Sequence, residues 1–226
     1  MSTVMSSSYP PNPFHNRGVI HDPERFIGRI YAFIFIFDQL LKEQCVSIVG
    51  KPLVGKSSLL PLLAHTDIQQ RLGYDLSKFI FVVLDFADYE QKNKEDFFQD
   101  VCRQIMASYR RETEGFELTA NDWRTNFKYL LQHMHGMGFR PVLLMDAFDK
   151  ITQSQEFDFA FFSYLRNLAG RHLVHYITAS INPLAKVCHP GIRSSTFFGL
   201  FIEYPLGPFT KEETEQFIIS QMQDAW

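Results

Sequence analysis

Residues 50–58 read Gly-Lys-Pro-Leu-Val-Gly-Lys-Ser-Ser, between the apolar run Cys45–Val49 and a helix-like segment from Ser58 to Ala64. The pattern Gly-x-x-x-x-Gly-Lys-Ser in a strand-to-helix setting is built for phosphate. Gly50 and Gly55 allow a tight turn and a close backbone approach, with Lys51, Pro52, Leu53 and Val54 supplying the peptide groups between them. The helix that starts near Ser57 and Ser58 adds unpaired N–H groups and a partial positive charge. Lys56 is spaced to reach the β- and γ-phosphates, and the Ser57 hydroxyl to ligate Mg2+. A triphosphate site also needs a carboxylate on the metal. Leu143-Leu144-Met145-Asp146, an apolar run with an acid at its tip, supplies Asp146 for that role.

The position after Asp146 decides how much hydrolysis to expect. Related ATPases place a glutamate there to orient and deprotonate water, and here it is Ala147, which does neither. Asp149 is the nearest remaining acid, but two positions further on, and catalytic groups lose much of their effect when displaced by an ångström. Nucleotide binding with weak ATPase activity at most is the expectation.

The elements that must hold these groups follow from periodicity. Phe79–Leu84 followed by Asp85, Pro141–Asp146 and Leu173–Ser180 are apolar runs that read as strands covered on both faces, and Phe198–Tyr204 reads as a fifth. Helices are expected at Ile30–Glu43, from the phosphate loop to Leu72 with a bend near Pro61, after Asn93, at Ala120–His135, Glu156–Ala169 and Lys211–Met222. Thr210 and Glu213 cap the last of these. Alternating strands and helices predict an α/β fold: a three-layer αβα sandwich around a mainly parallel five-stranded sheet. Ligands bind such sheets at the C-terminal strand ends, where Gly50, Asp85, Asp146 and Ser180 fall.

Composition limits the alternatives. The 226 residues are read as a Ser/Pro-rich arm over 1–20 and one domain over 21–226. A net charge of −3 gives no reason to expect nucleic-acid binding, and no apolar run is long enough to cross a membrane. Three scattered cysteines without a C-x-x-C fit a reducing, cytoplasmic setting. Asn93-Lys94-Glu95-Asp96 matches a guanine-reading motif but precedes the Asp146 strand, so it reads as the acidic first turn of a helix, and adenine is the expected base. His133 and His135, one residue apart, fall on different helix faces and do not suit zinc. No arginine-rich lid between the third and fourth strands supports a kinase.

Asn12-Pro13-Phe14, Phe26-Ile27-Gly28-Arg29, the loop at Ile48–Leu60, Leu143–Asp149, Ile177–Ser180 with Asn182-Pro183-Leu184, and Leu206–Thr210 occur in the order that resembles a STAND-class P-loop ATPase domain of the prokaryotic, AAA-like type. The resemblance implies ATP or ADP with Mg2+ as ligand, with Phe26, Ile27 and Arg29 near adenine and ribose and Pro208 on the nucleotide. Ser180 belongs to the same expected site. It also implies a signalling switch in which ADP holds a closed state and ATP promotes self-association or protein partnership. The chain departs from the family at Ala147, at Ile181, where an arginine often senses the γ-phosphate, and in ending at Trp226 without a winged helix. These departures point away from rapid turnover and self-contained switching. An interaction module that keeps the fold but not the hydrolysis is the alternative.

Overall fold

The apolar runs of the sequence become the strands of one sheet. A computed structural model describes residues 18–223 except 25, 90, 91, 112, 120 and 121; the arm up to residue 17, the helix start expected at Ala120, and Trp226 lie outside the described residues. The strands are β1 (Cys45–Val49), β2 (Phe79–Asp85), β3 (Arg140–Asp146), β4 (His175–Ser180) and β5 (Phe201–Pro205). They lie in the order β2-β3-β4-β1-β5, each neighbouring pair parallel. The register sets Val49 beside Ser180 and Pro205, and Asp85 beside Asp146, so the strand tips share one edge.

Side chains alternate between two cores, as a sheet covered on both faces requires. Val46, Ile48, Val142, Leu144, Ile177 and Ala179 face α1 (Ile30–Leu41), α2 (Lys56–Leu63) and α3 (Thr66–Arg71). Cys45, Leu143, Met145 and Tyr176 face α4 (Lys94–Ser108), α5 (Trp123–Gly136), α6 (Asp149–Gln153) and α7 (Phe159–Gly170). This second core is largely aromatic: Phe97, Phe127, Phe148, Phe157, Phe162 and Phe197, six of the chain's 23 Phe, are each fully buried there. A short α8 (Leu184–Val187) precedes β5, and α9 (Lys211–Gln223) ends the described chain. No helix among the described residues is long and apolar enough to cross a membrane.

Caps define several boundaries more sharply than apolar period does. Asn93 accepts from the Glu95 and Asp96 N–H groups while Asp96 accepts from the Asn93 N–H, so the apparent guanine motif is a capping box. Asp158 caps α7, which starts at Phe159 and not near Glu156; Phe157 lies buried ahead of it. The helix expected to run to Leu72 is two helices, broken at Ala64–His65 just after Pro61, which lacks an N–H for the ladder. The fifth strand starts at Phe201 because Thr196–Leu200 forms a 3-10 turn that sinks Phe197 between Phe162 and Tyr176.

His175, at the start of β4, is 2% exposed and neither ring nitrogen has a partner. Burial pushes its pKa from 6.5 down to about 4, against a smaller opposing pull from Glu43. The folded form therefore keeps His175 neutral where the unfolded chain takes up a proton. Stability present above pH 6.5 should fall by about 3 kcal/mol as pH drops to 4, and then level off. His175→Phe should flatten that segment in denaturant titrations across the window; parallel curves for the two proteins would refute the assignment.

Candidate nucleotide-binding site

The loop leaves β1 at Val49 and is fixed at its β1 end by two backbone bonds. The Gly50 N–H donates to the Ser180 carbonyl at 3.1 Å, and the Leu206 N–H to the Val49 carbonyl at 2.7 Å. A Cβ at Gly50 would come within 2.5 Å of the Leu206 carbonyl oxygen, so glycine is required there by packing. Leu53 and Gly55 adopt positive φ (64° and 99°), and Gly55 is the N-cap residue of α2. Leu53 is fully exposed despite the strain of a side chain in that conformation.

Lys56 opens α2 and folds back over the loop. Its Nζ donates to the Gly50 carbonyl at 2.6 Å and to the Lys51 carbonyl at 2.9 Å. Burial lowers its pKa, while Asp146 and then Asp149 act in the opposite direction and favour the charged form. Asp149 is thus within electrostatic reach of Lys56. The reason lies in the turn after β3. Ala147 takes φ 48°, Asp146 Oδ1 accepts from the Ala147 N–H at 2.8 Å, and the Phe148 N–H donates to the Ala179 carbonyl at 3.0 Å. Phe148 is buried in the aromatic core, and α6 begins at the next residue, Asp149, whose charge acts on Lys56.

Beside the loop lies a cavity of about 830 Å3, within the ~300–1,000 Å3 range usual for small-ligand sites. Gly50–Gly55 and Ser58 line it together with the expected Phe26, Ile27, Arg29 and Pro208. Lys56 and Ser57 line an adjoining recess of about 650 Å3 that shares Leu53, Gly55 and Ser58. Ser180 does not belong to the wall. It is 1% exposed, its Oγ donates to the Asn182 carbonyl at 2.8 Å, and its own carbonyl holds Gly50. It buttresses the loop, and Ile181 takes the place on the cavity wall. Ile20, Leu206, Phe209 and Phe217 complete an apolar lining that sequence reasoning did not assign to the site, although Leu206–Phe209 lay within a motif already singled out. The Ile20 N–H donates to Ser58 Oγ at 3.0 Å, which brings the segment before α1 onto α2.

Arg29 is 8% exposed and sits at φ 63° as the N-cap residue of α1. Its guanidinium donates to the Val54 carbonyl at 2.9 Å and the Pro208 carbonyl at 3.4 Å, and lies 4.4 Å from the centroid of the Phe209 ring. Burial lowers its pKa; Glu213, then Tyr204, oppose that. One cation therefore joins the phosphate loop, the 206–209 turn and α9.

No family model matches the chain, and no curated protein matches it by sequence. Among solved structures it is similar to a Walker-type ATPase of Pyrococcus abyssi, at 13% identity and a TM-score of 0.67 over 92% of this chain and 61% of that one. It is also similar to the ORC2 protein of Aeropyrum pernix in its ADPNP–ADP complexes (12%, 0.62; 97% and 54%) and to the ORC1 protein of the same organism in complex with DNA (10%, 0.58; 88% and 50%). The chain spans between half and about three fifths of the length of these proteins. At such identities the likeness is one of fold. With a glycine-rich loop between β1 and α2 and five parallel strands, the chain has the fold of the P-loop ATPases.

Proposed function

We propose that the chain is the ATP/ADP-binding module of a STAND-type signalling switch that hydrolyses ATP slowly or not at all. The observation that carries the nucleotide reading is the convergence on one cavity system of the phosphate loop, Lys56 and the four residues of the STAND-like motifs, Phe26, Ile27, Arg29 and Pro208. Phe26, Ile27 and Arg29 are distant in sequence from Pro208, and the resemblance had placed all four near the nucleotide. Apolar walls suit a base, and the loop with the α2 N-terminus suits its phosphates. Adenine is the base proposed.

Ser57 and Asp146 fit Mg2+ in one respect: they offer two oxygen ligands, and no cluster of three or more His, Cys, Asp or Glu able to hold a metal occurs among the described residues. Mg2+ is commonly held by one or two protein oxygens, with phosphate and water completing the shell. When bound it would supply charge neutralisation of the phosphates. Lys56 would bind and orient the terminal phosphate, and Asp149 is the carboxylate left to orient water. Ala147, directly after Asp146, has no acid to do so. Three free, buried cysteines suit a cytoplasmic setting.

Single-turnover assays with excess protein over Mg2+-ATP test the hydrolytic half. The expected rate is at least ~100-fold below the ~10 s−1 median of enzymes, and Asp149→Asn should lower it by roughly 100-fold more while ADP affinity stays within about threefold. A wild-type rate in the ordinary range would overturn slow turnover, and an Asp149→Asn rate equal to wild type would remove Asp149 from the chemistry. The alternative, a scaffold that uses nucleotide only structurally, draws support from the exposed apolar rim of Val19, Leu53, Ile181 and Phe209, which suits a protein partner. It requires partner binding that is indifferent to Lys56→Ala.

A further inference from the structure

Thr210 and Glu213 form the expected helix cap: the Glu213 N–H donates to Thr210 Oγ1 at 3.1 Å, and Glu213 Oε2 accepts from the Thr210 N–H at 2.9 Å. Glu213 does more than close α9. Its Oε1 accepts from the Arg29 N–H, and Oε2 lies 4.0 Å from Arg29 Nη1. The other arm of the guanidinium, Nη2, holds the Val54 carbonyl. A peptide unit is planar and trans, so fixing the Val54 carbonyl also fixes the direction of the Gly55 N–H, which points the opposite way. Gly55 lies between Val54 and the first turn of α2, where loop N–H groups must be aimed for a phosphate to be held. The contact is close-fitting: a Cβ on Gly28, itself at φ +76°, would come 3.0 Å from Glu213 Oε1.

We propose that Glu213 is a positioning residue for the phosphate loop, acting through Arg29, so that nucleotide affinity depends on the setting of α9. This rests on the nucleotide-binding reading above and adds a route by which the site is regulated. Binding linkage is reciprocal, so a nucleotide that prefers the joined arrangement must also hold α9 in place. A buried, multiply bonded cation is suited to the task, because its partners lose a charged hydrogen bond when it moves.

The test combines calorimetric titration of ADP with Mg2+ and amide hydrogen exchange, on the full chain. Glu213→Gln removes the charge that holds Arg29. Gly28→Ala displaces Glu213 without altering any charged group. Both are expected to bind ADP roughly 5- to 150-fold more weakly, the usual span of coupling between sites. Saturating ADP should slow exchange across 211–223 in the wild type and not in either variant. Glu215→Gln, which removes an exposed acid of α9 that pairs with Lys211 and not with Arg29, should keep wild-type affinity and so separates the Glu213 contact from a general loss of charge on the helix. Wild-type affinity in Glu213→Gln, or α9 exchange indifferent to ADP in the wild type, overturns the proposal. A wild type that binds no ADP rejects the nucleotide reading and the coupling together, whereas binding that is unchanged in the variants rejects the coupling alone.

Discussion

Mg2+-ADP at ~100 times its dissociation constant is expected to stabilise the folded chain by about 2.7 kcal/mol, raising Tm by roughly 5–10 °C for a domain of this size. Lys56→Ala should abolish that rise. The side chain is 9% exposed and its ammonium lies against two loop carbonyls, inside the turn that would receive the phosphates. Asp146 and Asp149 keep it charged against burial. Removing it leaves a loop of carbonyls and two nearby carboxylates, with the exposed Lys51 as the loop's remaining cation to offset the charge of a di- or triphosphate. The loop itself should survive, because Gly50 is tied to Ser180 and Val49 to Leu206 through backbone. Differential scanning fluorimetry with ADP, ATP and GTP separates the outcomes. A rise with adenine nucleotides that vanishes in Lys56→Ala supports the site. An undiminished rise in the variant would place nucleotide elsewhere, and no rise in the wild type would favour the scaffold reading.

Phe148→Ala should cost about 3–5 kcal/mol, the range for emptying a buried aromatic site. Phe148 is completely buried, with its ring centroid 5.7 Å from Phe86, 6.2 Å from Phe197 and 6.4 Å from Phe162. These rings belong to three different parts of the chain, so the cavity cannot be closed by moving one of them. The same residue anchors the turn between Asp146 and Asp149, and nothing else in that segment enters the core. Phe148→Ala should therefore show both a drop in the urea midpoint and a loss of any Asp149-dependent turnover. Phe148→Leu, which keeps most of the volume, should recover most of both. A destabilisation below about 1 kcal/mol would mean that the ring is not the anchor.

The phosphate loop was legible because its chemistry is local. Two glycines, a lysine and a serine at fixed spacing between an apolar run and a helix specify a turn whatever surrounds it. The strands were legible because a sheet covered on both faces demands unbroken apolar runs, and the cap of α9 at Thr210 and Glu213 because a cap involves only four consecutive residues. Where hydrogen bonding and packing set a boundary, apolar content gave the wrong limit. It ran α2 through to Leu72 past Pro61 and started β5 at Phe198, inside the 3-10 turn that buries Phe197.

Asp149 and Ser180 mark the deeper limit. Spacing along the chain made Asp149 a displaced acid and Ser180 a wall residue. A left-handed residue, Ala147, forms the turn between Asp146 and Asp149, whose charge acts on Lys56, while the Ser180 hydroxyl turns to its own loop and leaves the wall to Ile181. Neither outcome is encoded in a spacing. From the sequence alone came the glycine-lysine turn between strand and helix, the acid at the tip of β3 and the parallel α/β architecture, because each depends on residue type over a few neighbours. The tertiary structure alone decided which distant groups share the cavity and that Arg29 joins the loop to α9 through Glu213. Those contacts close across separations of up to 184 residues, and only the packing of both cores brings their ends together.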